Sequence, residues 1–177
     1  GGTIAATGGA ALTTTTFDGA SFTGGVVLDT NLTVNEATSV SVTGGLTVNA
    51  GRTVTLSAAG GNFTSLDFSG SQTLGGAGEV IFTGAGTNKS VRPTSGTLTI
   101  GPSLTVRSTG TGGGTVGSGA LGLVNQGTIT ADTGGGTLIV AGGTTGARWT
   151  NTGLLKANGG TLRLDGFFDN SAGTLEV

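Results

Sequence analysis

Residues 123–142 read LVNQGTITADTGGGTLIVAG, residues 148–166 read RWTNTGLLKANGGTLRLDG, and residues 167–177 read FFDNSAGTLEV. One unit is written three times, the third copy shorter than the others. Each copy opens on an apolar residue (Leu123, Trp149, Phe168), and an asparagine stands two positions on (Asn125, Asn151, Asn170). A glycine and a short apolar strand follow. In the first two copies Gly-Gly-Thr-Leu and a second strand come next. A β unit this small cannot bury its own apolar face, so the copies must stack. The pattern predicts an all-β fold, a parallel β-helix or β-solenoid.

Alternation within each strand assigns its faces. Leu138 and Val140 point one way, Thr137 and Ile139 the other; the next copy sets Leu162 and Leu164 against Thr161 and Arg163. Ile129, Leu155 and Leu175 are the inward residues of the other strand, with Thr130, Lys156 and Glu176 outside. The inner set stays apolar while the outer set drifts through Thr, Lys, Arg and Glu, as a stacked core requires. Lys156 is expected beside Glu176 on the next coil. The three asparagines are expected at one corner as a structural ladder, amide to amide. Leu123, Trp149 and Phe168 are expected to stack beside it. The sharper alternative is an exposed Trp149, with Arg148, offering its ring to a carbohydrate.

Upstream, short apolar strands recur at Val26–Leu28, Leu32–Val34, Val40–Val42, Leu46–Val48 and Val54–Leu56. LTVNEATSVSV matches LTVNAGRTVTL at an offset of 14 residues. Three strands per coil give offsets of 20 (Val26 to Leu46) and 22 (Leu32 to Val54), against 26 and 19 between successive asparagines of the last third. The expected stack is eight or nine coils of roughly 19–26 residues. The opening GGTIAATGGAALTTTTF reads as a worn copy of the Gly-Gly-Thr-Leu unit. Pro102 belongs in a corner and Pro93 after a strand, since neither donates a hydrogen bond. Residues 108–120, STGTGGGTVGSGA, read as the best candidate for a protruding or mobile loop. No composition shift divides the chain, so residues 1–177 read as a single solenoid segment, a piece of or product from a longer repeat protein.

Glycine is 39 of 177 residues and threonine 35, with no three-residue period, which excludes collagen. Hydrophobic residues at 34% in alternating runs, with only 9% charged, argue against disorder. A net charge of −2 without a basic cluster argues against nucleic acid. No apolar run reaches the ~20 residues of a membrane helix, so membrane insertion is not expected. The chain has no His, Cys or Met. That removes His-dependent triads, thiol nucleophiles and His/Cys metal centres. Asp165 and Asp169 are the closest aspartates, and an acidic turn is the plainer account of them than an acid–base pair or a cation site. Gly112–Gly114 and Gly134–Gly136 lack the Lys and Ser/Thr of a phosphate loop. No catalytic residue, cofactor or metal is expected, and the chain is not expected to be an enzyme.

The pattern N-x-G-x-I/L-x-A followed by G-G-T-L-x-V/L-x-G resembles the repeats of very large bacterial secreted and surface proteins. It is similar to autotransporter passengers and filamentous-haemagglutinin-type adhesins, most clearly over residues 121–177 and 30–56. That resemblance implies a right-handed parallel β-helix, a place at the bacterial cell surface, and an adhesive or scaffolding role as a rigid spacer or filament segment. Unpaired strand edges at the ends of such a stack imply association with copies of itself. Surface glycans are a second expected partner. The alternative class is a glycan- or ice-binding module. Thr53-Val54-Thr55, Thr97-Leu98-Thr99 and Thr128-Ile129-Thr130 suit ice locally, but Lys156, Glu176 and Arg163 interrupt any continuous threonine face.

Overall fold

The computed structural model describes residues 2–5, 11–14, 20–132 and 134–177. Its strands, in chain order, form turns of three. The first two turns are β1 (Gly2–Ala5), β2 (Ala11–Thr14), β3 (Ala20–Thr23), then β4 (Val26–Asp29), β5 (Asn31–Asn35), β6 (Ser39–Thr43). The next two are β7 (Leu46–Val48), β8 (Thr53–Ser57), β9 (Thr64–Phe68), then β10 (Gln72–Gly76), β11 (Glu79–Thr83), β12 (Lys89–Pro93). Then come β13 (Thr97–Ile100), β14 (Thr105–Ser108), β15 (Gly114–Gly117), followed by β16 (Gly122–Asn125), β17 (Thr128–Ala131), β18 (Thr137–Gly142). The last are β19 (Trp149–Asn151), β20 (Leu154–Ala157), β21 (Thr161–Gly166), and a closing pair, β22 (Phe168–Asp169) and β23 (Thr174–Glu176).

The first strand of every turn stacks in one parallel sheet of eight strands, the second in another of eight, the third in a sheet of seven. The molecule is a three-walled parallel β-solenoid. Seven turns are complete and the last has two strands, fewer than the eight or nine coils the sequence suggests. The middle coils are longer than the repeat in the last third implies: Leu46 faces Leu74, an offset of 28, whereas Trp149 faces Phe168, an offset of 19. Strand register is fixed by the shared core, and turn length is free to vary. At ~4.8 Å between layers, the stack is roughly 34 Å tall.

Inward positions form continuous columns. Leu32, Val54, Val80, Val106, Ile129 and Leu155 line the second wall in one row, all fully buried. Leu138 stands opposite Leu162, and Ile129 opposite Leu155, in neighbouring turns. Burying each such side chain contributes about 1.5–3 kcal/mol relative to leaving it in water. The ladder bonds along the axis satisfy the backbone.

Residues 108–120 do not protrude. They contain β15, packed between β12 and β18, and Gly112, Gly113 and Gly114 are buried. A Cβ on Gly113 would sit 1.7 Å from the Thr137 carbonyl oxygen, and one on Gly114 would meet the Phe82 ring at 2.8 Å. The glycines make room for the Phe82 ring and for the next coil's backbone, which is a packing role that composition disguises as flexibility. An exposed turn lies instead between β18 and β19, at residues 144–148, closed by an antiparallel bridge between Thr144 and Ala147. It supplies most of the difference between the asparagine offsets of 26 and 19.

Other expectations shift similarly. The offset-14 match relates β5 to β7, which lie in different walls, so it spans two strands and is not the coil repeat. Of the opening segment, Gly2-Thr3-Ile4 lies in β1 of the first wall, whereas the Gly-Gly-Thr-Leu of the last third opens strands of the third; the rest of the segment 1–17 lies partly outside the described residues. Pro93 ends β12, buried opposite Phe68, and Pro102 takes an exposed corner.

Candidate functional site

The asparagine corner is built from strand ends. Asn125 closes β16, Asn151 closes β19, and Asn170 follows β22. Asn125 Nδ2 donates to Asn151 Oδ1 at 2.6 Å, and Asn151 Nδ2 donates to Asn170 Oδ1 at 2.6 Å. The same nitrogens reach down to turn carbonyls: Asn125 to Gly127 at 3.3 Å, Asn151 to Gly153 at 3.2 Å, and Asn170 to Gly173 at 3.4 Å. Each amide therefore closes its own turn, and Asn125 and Asn151 also hold the next. The ladder ends upward at Ile100, which faces Asn125 across the sheet; Asn125 Oδ1 is buried without a partner. All of these contacts are internal to the stack; Asn125 and Asn151 are buried and Asn170 is half-buried.

Trp149 lies beside this corner, 0% exposed, its ring stacked on Phe168 with centroids 5.1 Å apart. Its Nε1 donates to the Asp165 carbonyl at 3.1 Å. The sugar-stacking alternative for Trp149 fails on this burial, since neither ring face is open to a glycan. Arg148 is exposed but donates to the Phe168 carbonyl at 3.1 Å. Leu123 is buried in the same sheet. Leu175, opposite the buried Leu155, is 50% exposed, because the last coil has a neighbour on one side only.

The outer walls carry cross-coil ion pairs. Arg52 meets Asp29 at 3.1 Å, Arg92 meets Asp67 at 2.8 Å, Arg107 meets Glu79 at 3.0 Å, and Lys156 meets Glu176 at 3.1 Å. Asp165 is taken by Arg163 at 2.7 Å. Asp169 accepts from the Ser171 amide at 2.8 Å, and that bond holds its carboxyl below the usual aspartate range. The two aspartates are thus engaged with separate partners. The Thr-x-Thr segments do not form one face: Thr97 and Thr99 lie in the first wall, the other two pairs in the second, with Glu79 and Arg107 in the turns between those two.

Two clamps were invisible in the sequence. Glu36 accepts hydrogen bonds from the backbone amides of Ala59, Gly60 and Asn62 on the next coil, at 3.0–3.2 Å. Those donors, Gly60 first, then Asn62 and Ala59, hold its carboxyl below the usual glutamate range. Lys89 is 1% exposed, with Nζ turned to the carbonyls of Gly84 and Gly86. Burial lowers its ammonium from the usual lysine range, and the Glu36 carboxylate pulls the other way. Neither residue stands in a repeated position, so no pattern flagged it.

These features define a repeat protein whose polar groups chiefly serve the stack. Comparison with known proteins gives no match: no family model, no curated protein and no solved structure is similar enough to this chain to count as one.

Proposed function

We propose that this chain is a structural segment of a secreted bacterial surface protein, a rigid spacer or filament piece rather than an enzyme. The observation that carries the reading is the unbroken register of three parallel walls, with side-chain amides and ion pairs linking one coil to the next. Such a stack transmits force and holds distance, because each coil bonds to both neighbours through its whole backbone. The repeat style, similar to that of autotransporter passengers and filamentous haemagglutinins, supports the cell-surface location and the adhesive role. Low charge and high Gly and Thr content agree with it.

Self-association belongs to the same proposal. Strands β21, β22 and β23 pair on one side only, and Phe167, Leu175 and Val177 are exposed there. A further coil or a second copy adds to such an edge by backbone pairing. An antibody raised against the chain tests the location: it should label intact source cells. Labelling only after permeabilisation would refute the surface reading. Sedimentation of the purified chain should show concentration-dependent end-to-end species.

A further inference from the structure

Among the described residues, four large apolar side chains are exposed, and three of them (Phe167, Leu175, Val177) lie on the last coil. The fourth, Phe63, is 66% exposed midway along the stack, just before β9. A bare aromatic there has no coil-edge explanation. It borders a cavity of about 210 Å³ on the outside of the third wall, whose other lining residues include Asn88, Ser90, Arg92, Thr115 and Ser118.

The floor of this groove is unusual in its polarity. Ser90 and Thr115 are register partners on adjacent strands. Ser90 faces outward, on the opposite side from the buried Val91, yet is only 8% exposed, and its hydroxyl has no hydrogen-bond partner in the protein. A buried hydroxyl left unmet costs stability, so such groups are ordinarily satisfied. The other two orphaned polar atoms, Ser108 Oγ and Asn125 Oδ1, belong to fully buried residues that line neither this groove nor the second recess. That second recess, around Gln72, is already filled by the Gln72 amide, which accepts from Gly44 and Gly45 and donates to the Val42 and Ser69 carbonyls.

The groove is held in shape. Glu36 clamps the backbone at residues 59–62, which leads into Phe63, and Asn88 Nδ2 donates to the Gly61 carbonyl of the same loop at 2.5 Å. Its charge is neutralised. Arg92 is paired with Asp67 at 2.8 Å, and the Lys89 ammonium is turned away to the Gly84 and Gly86 carbonyls. An anion therefore finds no free cation here.

We infer that this groove is a subsite for one neutral pyranose ring of a glycan, its apolar face against Phe63 and its hydroxyls on the Asn88–Thr115–Ser118 rim, with the Ser90 hydroxyl, shielded in the free chain, turning out to meet one of them. An aromatic face beside a few placed hydroxyl and amide groups is the chemistry that recognises a polyol ring. The volume suits a single ring and not an extended ligand. The site is independent of the Trp149 corner and of the scaffold reading above, which would survive its failure.

The test is a two-dimensional amide NMR titration of the intact chain with the methyl pyranosides of glucose, galactose, mannose and N-acetylglucosamine, with sodium sulfate as the anion control. At least one pyranoside should give saturable shifts at Phe63, Asn88, Ser90 and Thr115. Phe63→Ala and Ser90→Ala should each weaken that binding about tenfold, roughly the effect of one lost stacking or hydrogen-bonding partner. Phe63 is exposed, so its replacement leaves the stack intact and decides the matter even where Ser90→Ala perturbs the strand. The inference is overturned by any of three results: no saturation with any sugar, shifts that lie elsewhere, or saturation by sulfate alone. Undiminished binding in Phe63→Ala overturns it equally.

Discussion

The turns spanning residues 57–120 and those spanning 121–177 solve one corner with different chemistry. In the earlier turns the corner column is aliphatic, with Leu74 opposite Ile100. One turn on, the same register position carries Asn125, then Asn151, and the column becomes a chain of amides. The two regions differ again at the wall opposite Phe82, where the buried Gly114 holds the register position that Leu138 takes one turn on. Yet strand register runs through both without a break. The stack therefore demands inward side chains that fill a layer, and it accepts either grease or a fully bonded amide row at the corner. Repetition of the sequence is one way to meet that demand and is not itself the requirement.

The hardest blow to the earlier region should be Gly113→Ala. Its new Cβ would collide with a backbone oxygen, so we expect a loss of about 3 kcal/mol or more, read as a collapse of the thermal transition. Gly119→Ala, six residues on, meets nothing within 4 Å and should stay within about 0.5 kcal/mol of wild type. Equal effects at the two positions would return residues 108–120 to the loop reading.

Next in size is the aliphatic core of the later region. Leu138→Ala, at a fully buried site, should cost about 2–5 kcal/mol in denaturant unfolding. Leu175→Ala, half exposed on the last coil, should cost under about 1 kcal/mol. The contrast measures what a second neighbouring coil adds to the same residue type.

The amide column should be worth less than the aliphatic one, though its members act together. Asn151→Ala cuts the row in the middle and is expected to cost about 1–3 kcal/mol. Adding Asn125→Ala to it should cost less than the sum of the two single changes, because the bond between them is already gone. Strict additivity in that double-mutant cycle would remove the ladder as a unit.

Acid should loosen the Glu36 clamp, which grips the start of the earlier region from the coil before it. A carboxyl whose value falls on folding stabilises the fold above its unfolded value of about 4.3, and this help is lost as pH drops through the lower folded value. Melting temperatures of wild type and Glu36→Gln should therefore differ at neutral pH and converge at acid pH. A constant gap would mean the carboxylate charge does not matter. The smallest effect is expected at the exposed pair of the later region: Lys156→Ala should change stability by at most about 1 kcal/mol, and less in high salt.

What the sequence revealed followed from regularity. The alternation of Leu138 and Val140 with Thr137 and Arg-bearing partners placed the inner rows, and the asparagine spacing placed the ladder, because those signals repeat at matched positions. Four features escaped for physical reasons. Buried glycine and mobile glycine look alike in a string of letters; the difference lies in Phe82, some 30 residues upstream. Trp149 was legible as core or as sugar platform, and only the ring of Phe168 on the next turn decides between them. Glu36 acts through backbone groups of the next coil and Lys89 through those of its own turn, and backbone partners leave no trace in composition. The Phe63 groove joins residues from several turns across one wall, a juxtaposition that exists only after stacking.

The turn at residues 144–148 stands clear of the walls, and the two strands beside it are anchored independently of its length. The copy that follows omits it and remains in step. Foreign peptides grafted at Thr145 and Gly146 should thus be tolerated as cargo, carried on a ruler whose graduations are set by backbone spacing.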